Sequence, residues 1–557
     1  IDFNFTNAAI PNIKNTFVTN YNFVSGPASS GYQAKRSDGC VAGINMNFRF
    51  CEKNGVNGGN PMLKNIDDPD GPDNIPFTTD DGLKPSASSP LCGKGLNGVD
   101  IGVYSCDSNK VFASGNSGTG GISVTPPNNN PPTNEPPVVP NPPISTVGTI
   151  YVSSSGSDTN TGTQNSPLKT IQKCANIVKA GETCLVTAGT YPEHVETLSS
   201  GANGKYVTFK AQGTVIMKGF RIKNPYVRVE GFDITKYAVG LDQGHISIEA
   251  EGDNCQVINN TIRDGVYLTS TNLTFNAANK TITNPSGGFL AAGFAPGSSI
   301  YIGSDINNQI KNHDNNSLAS GYKYETKRIK SVEDTKITLI DTNTVLQEGP
   351  VSGTIYVNSA EKNGVWGVIM NSKSSVGQPD NCLIQGNKFS NLAGKAMGIL
   401  GNNNIVEKNT FERMNGWRFF SLTGSNNIIR NNVLKDSPRW PGFFPPAPGT
   451  NFALGSGSWD MFDAMITSIG SPEIQINDNI FEYNFVKGID VQFATVEQYS
   501  GLAGAPAVQQ NKGLTLRNNV FVDVEMTGSF TRPGTKILNN TFYKTARISP
   551  YSFTIGK

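Results

Sequence analysis

The residues best suited to chemistry are cations and carboxylates in the last third of the chain. Three segments, beginning at Gly394, Gly416 and Gly488, align so that successive side chains alternate between the two faces of a strand. The alignment assigns outward positions to Ala396, Arg418 and Asp490, and inward positions to Met397, Phe419 and Val491. Asp460 and Asp463 belong to the coil between Arg418 and Asp490, so the pattern predicts a basic, acidic and acidic column with Lys487 near it.

Aromatic side chains surround this column. Three of the four tryptophans and one further arginine fall here, namely Trp417, Arg439, Trp440 and Trp459. Because flat aromatic faces pack well against sugar rings, the group is a candidate carbohydrate site. The candidate catalytic residues of such a site are Arg418, Asp463, Asp490 and Lys487. A solvated, salt-bridged face with tryptophans packing a long loop is the alternative.

A second polar group is acidic. The segment IDDPDGPDN, residues 66–74, gathers carboxylates on a loop rich in glycine and proline, and Asp80 and Asp81 follow it. Carboxylate oxygens suit Ca²⁺, although the spacing is not that of an EF-hand. The candidate ligands are Asp67, Asp68, Asp70 and Asp73. A solvated acidic turn is the alternative, and no other cofactor is predicted; the three histidines are too scattered in sequence to suggest a cluster.

Eight cysteines fall in near pairs, none of them in a CxxC pattern: Cys40 and Cys51, Cys92 and Cys106, Cys174 and Cys184, Cys255 and Cys382. An even count without metal-ligand spacing favours disulfides, and therefore an extracellular or cell-surface location. Buried free thiols are the alternative.

Charge and composition exclude two classes of function. Lys and Arg number 45 against 44 Asp and Glu, which leaves a net charge of +1 and argues against a nucleic-acid partner. No apolar run approaches the ~18 residues that span a bilayer. The start at Ile1, without a basic leader, predicts a processed protein, a fragment or one unit of a precursor.

The elements that must position these residues repeat along the chain. A short motif of Asn and apolar residues recurs as NNTI (259–262), GNKF (386–389), KNTF (408–411), NNVL (431–434), DNIF (478–481), NNVF (518–521) and NNTF (539–542). Steps of 22, 23 and 21 residues without helical periodicity indicate a solenoid of short parallel strands. Asn recurs because its amide can bond to the same residue one coil away. A β-sandwich with recurrent Asn turns is the alternative.

The segment YVSSSGSDTNTGTQNSPLKTIQKCANIVKAGETCLVTAGTY, residues 151–191, resembles the opening of extracellular right-handed parallel β-helix proteins of the pectate-lyase-like superfamily. The resemblance implies a helix over about 168–179 that caps the open end of the solenoid, with Cys174 and Cys184 tying cap to first strand. Pro167 suits a helix start, and Ile171, Ala175 and Val178 share one helical face. The predicted fold is thus an all-β, right-handed parallel β-helix with an N-terminal cap helix.

Composition divides the chain into five parts. Residues 1–107 form a front segment, and residues 108–148 a linker rich in Pro and Asn. Residues 149–267 hold the cap and first coils. Residues 268–357 lack the Asn motif and predict an inserted, small β-barrel-like domain, with Cys255 and Cys382 flanking it and a disulfide across its base. Coils resume over 358–557, interrupted by a long loop at 437–459.

The front segment is out of its expected order. Residues 60–106, with SPLCGKG and DIGVY, resemble the segment that ends many β-helix proteins of this class, and IKNTF (13–17) copies the coil motif. We therefore expect residues 1–107 to extend a C-terminal solenoid end by strand addition. That end belongs either to a neighbouring copy or to the same chain; an independent front domain is the third alternative.

Two functions follow. One is an extracellular structural protein that associates with copies of itself, head to tail, into a filament or surface fibre. The other, implied by the resemblance, is a polysaccharide lyase or glycan-binding surface protein. A lyase needs a base and a cation near the substrate carboxylate, and a hydrolase needs two carboxylates. The GHG and RIK signatures of polygalacturonases are absent from the sequence, so it leaves open whether the protein is an enzyme.

Overall fold

The computed structural model describes residues 17–20, 23–25, 56–57, 60–68, 71–73, 78–107, 148–237, 244–303, 312, 327–358, 366–371, 377–392, 396–412, 420–435, 478–487, 491–493, 514–522, 525–528, 535–543 and 547–549. Within these ranges nearly every regular element is a β-strand, and most strands pair in parallel with the equivalent strand of the next coil. Each coil carries up to three strands, which stack into columns that we call A, B and C in chain order. The α-helices of these ranges have at most five residues, too short to span a bilayer.

Column A contains β4 (Thr149–Val152), the first parts of β5 (Thr183–Glu196) and β6 (Val207–Ile222), β7 (Val227–Glu230), β10 (Gln256–Ile258), β19 (Leu383–Gln385), β22 (Ile405–Glu407), β25 (Ile428–Arg430), β27 (Ile480–Glu482), β30 (Thr515–Arg517), β33 (Thr535–Leu538) and β1 (Phe17–Asn20).

Column B contains the middle parts of β5 and β6, then β8 (Asp233–Thr235), β11 (Thr261–Arg263), β20 (Lys388–Ser390), β23 (Thr410–Glu412), β26 (Val433–Lys435), β28 (Phe485–Lys487), β31 (Val520–Val522), β34 (Thr541–Tyr543), β2 (Phe23–Ser25) and β3 (Val56–Asn57).

Column C contains the last parts of β5 and β6, then β9 (Gly244–Ile248), β18 (Trp366–Met370), β21 (Met397–Leu400) and β24 (Phe420–Thr423). In the last coils the third place is taken by a separate parallel sheet of β29 (Val491–Phe493), β32 (Glu525–Gly528) and β35 (Arg547–Ser549).

An asparagine ladder fixes the turn between columns A and B. This turn has two residues, and its second residue is a buried Asn in coil after coil: Asn260, Asn387, Asn409, Asn432, Asn484, Asn519 and Asn540. Asn409 is typical, because its Oδ1 accepts from the backbone N–H and the Nδ2 of Asn387, and its Nδ2 donates to Asn432. The first turn residue has a left-handed φ, which Asn tolerates better than most residues. The recurrent Asn of the sequence is therefore the internal fastening of the solenoid.

The core is a stack of inward-facing side chains that repeats at each coil. The rings of Phe389 and Phe411 are stacked with centroids 4.6 Å apart, and those of Phe521 and Phe542 with centroids 5.1 Å apart. Such stacks follow from parallel in-register strands, which place like positions directly above one another. The predicted parallel β-helix is confirmed by this register.

The cap helix is shorter than the sequence predicts. Helix α1 covers only Ile171–Ala175, because Thr170 caps its N-terminus and Asn176 ends it. The carboxylate of Glu193 accepts from the N–H groups of Ile171 and Gln172, which holds the helix start against β5. Ala175 is buried, as the predicted apolar face requires. A disulfide joins Cys174 to Cys184, as the resemblance implies.

The insertion is a closed six-stranded barrel between columns B and C. Its strands are β12 (Tyr267–Asn276), β13 (Thr281–Thr283), β14 (Ser299–Gly303), β15 (Lys327–Glu333), β16 (Lys336–Leu339) and β17 (Glu348–Asn358), with the short helix α2 (Phe289–Ala292). Its apolar core is separate from that of the solenoid. The barrel-like insertion of the predicted fold is therefore present.

The predicted disulfide across the base of the insertion is not formed. Cys255 and Cys382 are free, buried thiols, with sulfur atoms 2.7 Å apart. Each cysteine is the residue directly before a column A strand, and the two lie in adjacent coils. In later coils the same position is occupied by Asn404, Asn427 and Asn479. Stacking in register explains why the sulfur atoms meet although the residues are 127 positions apart. Cys92 and Cys106 form a disulfide, while Cys40 and Cys51 lie outside the described residues.

The front segment extends the solenoid of its own chain. Strand β1 pairs with β33, Phe17 opposite Thr535, and β2 pairs with β34, Phe23 opposite Thr541. Phe17 therefore belongs to column A, and the copy of the coil motif is NYNF (20–23), matching EYNF at 482–485. The assignment of the motif to IKNTF was wrong. Its sequence is similar to the motif, but its Phe17 lies in a column A strand, one strand before the turn at which the motif occurs.

Residues 60–107 cover the outer face of column B in the last coils. Leu83, Val103 and Tyr104 are buried in one cluster with four outward side chains of the coils, listed as Val433, Phe485, Val520 and Val522. The N–H of Gly102 donates to the carbonyl of Asn539 over 3.0 Å, and a side chain at Gly102 would approach Thr541 Oγ1 to 3.0 Å. Gly102 also has a φ of 99°, a left-handed conformation that favours glycine.

Candidate functional site

Most residues of the predicted carbohydrate group fall outside the described residues: Trp417, Arg418, Arg439, Trp440, Trp459, Asp460, Asp463 and Asp490. The exception is Lys487. Its Nζ lies 2.8 Å from Asp67 Oδ1 and 3.1 Å from the carbonyl oxygen of Ile66. Lys487 and Asp67, predicted for two different sites, therefore pair with each other and join the front segment to β28.

The strand alignment behind the predicted column is one residue out of register. Met397 pairs with Phe420, whereas the alignment placed Phe419 at this position. The alignment counted from glycines in the connections between columns B and C, and these connections differ in length: 391–396 in one coil and 413–419 in the next. A shift of one residue exchanges inward and outward faces.

The acidic group assembles in a form that differs from the predicted ligand set. Carboxylate oxygens of Asp73, Asp80 and Asp81 lie within 4.8 Å of one another, whereas Asp67 and Asp68 are not among them and Asp70 lies outside the described residues. Asp81 is fully buried and accepts from the hydroxyls of Thr78 and Tyr104. A hydrogen bond from Thr78 lowers the pKa of Asp80. Calcium stays a prediction, which melting with and without a chelator tests.

The outer face of column C is bordered by the long connections of the solenoid. From β7 onward the turns from column A to B have two residues in every described coil, whereas the connections from B to C reach 264–365, which holds the barrel. A further long connection leaves column B at Lys435, and the next described column A strand begins at Ile480. In solenoids, insertions on one face commonly border the binding surface. The outward residues of column C are buried in β9, β18 and β21 but partly exposed in β5 and β6, so the outer face of these first coils is the candidate site.

One edge of this face carries paired charges. Arg221 Nε lies 2.7 Å from Glu249 Oε1, and the Lys223 ammonium pairs with the Glu196 carboxylate. The pairs connect β5, β6 and the residue after β9, because parallel in-register strands place these positions side by side. The hydrogen bond to Glu249 raises the pKa of Arg221. This edge is thus a row of alternating charges one coil apart.

The opposite edge carries a half-buried amine. Lys218 lies at the corner of β6 between columns B and C, and its Nζ donates to the carbonyl oxygen of Lys236 over 3.1 Å. Burial, and then the nearby Lys236 ammonium, lower the pKa of Lys218. Lowered lysine pKa values mark amines able to act as bases.

Two histidines lie beside this amine although the sequence gives no sign of a cluster. His194 and His245 occupy the same lateral position of column C, two rungs apart, with Gly219 between them. The His194 ring stacks on Tyr237 with centroids 4.1 Å apart. His245 is fully buried, and its Nδ1 lies 3.0 Å from the carbonyl oxygen of Trp366. Burial lowers the pKa of each histidine to about 4, so both rings are neutral at physiological pH.

Sequence reasoning missed Lys218, Tyr237 and the histidines because they are far apart in the chain. The one local sign of this cluster in the sequence is Gly219, a glycine at a position whose side chain would face outward. A side chain at Gly219 would lie 1.7 Å from the His245 carbonyl oxygen and 3.1 Å from His194. The position therefore excludes every side chain and lets the ring of His194 pass over β6 to the coil beyond it, where its Nε2 lies 3.3 Å from the Gly244 oxygen.

Comparison with known proteins gives similarity of limited extent. Residues 154–197 match a family described as a protein of unknown function, DUF1565. The uncharacterized protein YwoF of Bacillus subtilis is 33% identical over 87 residues, which is 14% of this chain and 19% of that protein. The chain thus matches about a fifth of the curated relative's length.

Solved structures with a similar course of the chain include three lyases. Pectate lyase Pel9A is 11% identical with a TM-score of 0.36, over 74% of this chain and 80% of that one. A rhamnogalacturonan lyase is 14% identical with a TM-score of 0.33, over 68% and 75%. A PL6 family polysaccharide lyase from Pseudopedobacter saltans is 15% identical with a TM-score of 0.31, over 64% and 62%. The match to residues 154–197 falls in the segment whose resemblance implied the fold, and the strand pairing shows that the chain is a parallel β-helix.

Proposed function

We propose that the protein is an extracellular polysaccharide lyase that binds an acidic glycan along the outer face of column C in the first coils, β5 and β6. The observation that carries this proposal is Lys218, a half-buried amine at the rim of a regular, charged face bordered by an inserted domain. The two disulfides support the extracellular part of the proposal, because such bonds persist in oxidising compartments.

Elimination from a uronic acid requires a base for the proton next to the carboxylate and a cation to offset the carboxylate charge. Lys218 supplies the base in this proposal, since a lowered pKa leaves more of its amine unprotonated near neutral pH. Arg221, three residues along the same strand, supplies a fixed positive charge. The site thus offers both groups without invoking a metal ion.

Hydrolysis fits this face less well. A glycoside hydrolase needs one carboxyl group that holds a proton and a second that acts as base or nucleophile. Glu196 and Glu249 on this face are each engaged in an ion pair, with Lys223 and Arg221, rather than set against each other as an acid and a base. We therefore propose elimination as the reaction class.

A screen of uronate polymers tests the function. The wild-type protein is incubated with polygalacturonate, rhamnogalacturonan and alginate, and unsaturated chain ends are followed by ultraviolet absorbance. We expect one polymer to yield such ends, and Lys218→Met to reduce the rate at least ~100-fold, the usual contribution of a general base. The matched control is Lys210→Met, since Lys210 pairs with Glu230 on column A. The absence of unsaturated ends from every polymer, or equal rates for the two variants, would overturn the proposal.

Self-association is a second candidate, favoured by one observation. The front segment reaches the solenoid end through strand pairs, an apolar cluster and the Lys487–Asp67 pair, and these contacts are available to the front segment of a neighbouring copy as well. In that arrangement the protein would form a head-to-tail filament or surface fibre.

Two defective full-length variants test exchange between copies. Val103→Asp damages the front segment, and Val520→Asp damages the surface that receives it. The two variants are mixed during refolding. The Val520→Asp chain then still has an intact front segment, and the Val103→Asp chain still has an intact receiving surface. Exchange predicts that differently tagged variants co-purify, and that the wild type forms filaments in electron microscopy. Separate elution of the variants together with dispersed wild-type particles would exclude this candidate.

A further inference from the structure

Two consecutive residues of the solenoid, Lys236 and Tyr237, contact the barrel. Lys236 Nζ donates to the carbonyl oxygen of Ala291 in α2 over 2.8 Å. The Lys236 side chain also lies against Gly293, where an added Cβ would be 3.3 Å from Lys236 Cβ. The joint is therefore close-packed on the side of the barrel.

Tyr237 connects the apolar core of the barrel to a side chain of column C. Its side chain is 9% exposed and belongs to the barrel cluster together with Val266 and Phe294. On its other side, the ring stacks on His194 of β5, with an angle of 21° between the planes. Through Tyr237, the position of the barrel is thus coupled to column C.

Lys218 depends on the same joint. The acceptor of its ammonium is the carbonyl oxygen of Lys236, the residue that holds α2. The backbone of Lys236 adopts a left-handed φ of 52°, and its N–H donates to the carbonyl of Asp264 at the start of the insertion. The geometry of Lys236 is therefore fixed from both the solenoid and the barrel.

We propose that the inserted barrel is a positioning domain of the site, which holds Lys218 in place through Lys236 and Tyr237. The inference rests on the proposed function for the role of Lys218 as a base. The placement of its amine by the barrel is a separate claim, because it can be measured without substrate.

Among the residues that the structure describes, few charged or titratable groups surround the amine. Lys236 faces it from the turn after β8, and His245 from β9 interacts with both Lys218 and Asp264. The Asp264 carboxylate is bound by Arg263 and by Asn391. His194 and His245 stay neutral above about pH 4, so Lys236 is the cation whose charge disfavours the protonated form of Lys218.

The experiment titrates Lys218 in the full-length protein. Lysines are dimethylated with ¹³C-formaldehyde, the Lys218 signal is assigned by its loss in Lys218→Arg, and its pKa is followed by NMR. In the wild type we expect the Lys218 signal to titrate below the ordinary value of 10.5. Tyr237→Ala should move the transition upward, because the barrel then no longer holds the amine in a buried position. Tyr237→Phe keeps the stack on His194 and should leave the transition unchanged.

A second variant tests whether the effect of Tyr237→Ala arises from unfolding of the barrel. His194→Ala removes the other half of the stack without touching the barrel core, and its effect should have the same direction. The signal of Lys210, paired with Glu230 on column A, should not move in either variant. If Lys218 titrates identically in the wild type and in the folded variants, the positioning role is wrong.

The two claims fail separately. A Lys218 transition that shifts as expected in a protein without lyase activity would keep the positioning role and remove the proposed function. If the protein is active, the pH at which its rate rises should shift upward in Tyr237→Ala together with the NMR transition, a change that a purely structural role would not produce.

Discussion

At the scale of single residues, the buried histidines make the stability of the fold depend on pH. Burial lowers the pKa of His194 and of His245 to about 4 in the folded protein, against 6.5 in the unfolded chain. The unfolded chain therefore binds protons first as the pH falls, so stability is complete above about pH 6.5 and is lost towards pH 4.

The loss should be on the order of 3 kcal/mol for the fully buried His245, and smaller for the partly exposed His194. Urea unfolding between about pH 7 and about pH 4 measures it. His245→Gln should be less stable than the wild type at neutral pH but should lose less on acidification. Equal losses in both proteins would show that His245 does not contribute.

The asparagine ladder gives a second prediction for a single residue. Asn409 accepts two hydrogen bonds from Asn387 and donates to Ile384 and Asn432, all in the buried turn. Asn409→Ala leaves several buried partners unsatisfied and should lower the free energy of unfolding by about 3 kcal/mol. Asn203, exposed on a loop, is the control, and Asn203→Ala should change stability by less than about 0.5 kcal/mol. Similar values for the two variants would refute the fastening role.

At the scale of elements, the outward positions of column B reveal where the front segment lies. In the first coils the first outward residue is polar, as at Thr261, Lys388 and Thr410, whereas in the next three coils it is apolar, as at Val433, Phe485 and Val520. In the coil that follows these it is Thr541, which is polar but buried. The change marks the coils that residues 60–107 cover. It was legible in the sequence as the contrast of NNTI and KNTF with NNVL and NNVF.

This contrast supplies a matched pair of variants. Val520→Asp introduces a charge under Val103 and Tyr104, and should speed hydrogen exchange of residues 83–104 by at least ~10-fold through loss of the apolar contact. Thr410→Asp, at the same position of an earlier coil, should leave that exchange unchanged. Protection that is equal in the two variants would mean that the cluster does not hold the front segment.

The fold could be predicted from the sequence further than the site could. The Asn motif and its spacing predict the coils of the solenoid, because the asparagine ladder and its two-residue turn follow each column A strand directly. The register of column C could not be inferred, since the preceding connections vary in length and a shift by one residue reverses the faces. The neighbours of Lys218 could not be inferred either, since His194 and Tyr237 meet only when both the coils and the barrel are in place.

At the scale of the whole molecule, the two ends of the described chain are joined by pairing rather than by covalent bonds. We expect a protein cut within 108–147, by an engineered protease site, to remain one particle, because strand pairs and the cluster around Val103 hold the front segment. Size-exclusion chromatography of the cut protein measures this. Val520→Asp should release the front fragment after the same cut, and release from the cut wild type would contradict the arrangement.

The pairing of β1 with β33 also determines an order of folding. It joins residues near 17 to residues near 535, whereas the other coils close over far shorter stretches of chain. Loop-closure entropy grows slowly, so this closure costs only about 1.4 kcal/mol more than closing a loop the size of the barrel insertion, roughly five times shorter. The thermodynamic penalty is small, but the search is long, and such distant contacts form late. Until they form, β33 and β34 present an open strand edge, and the last step of folding is then also the step that removes the site most prone to aggregation.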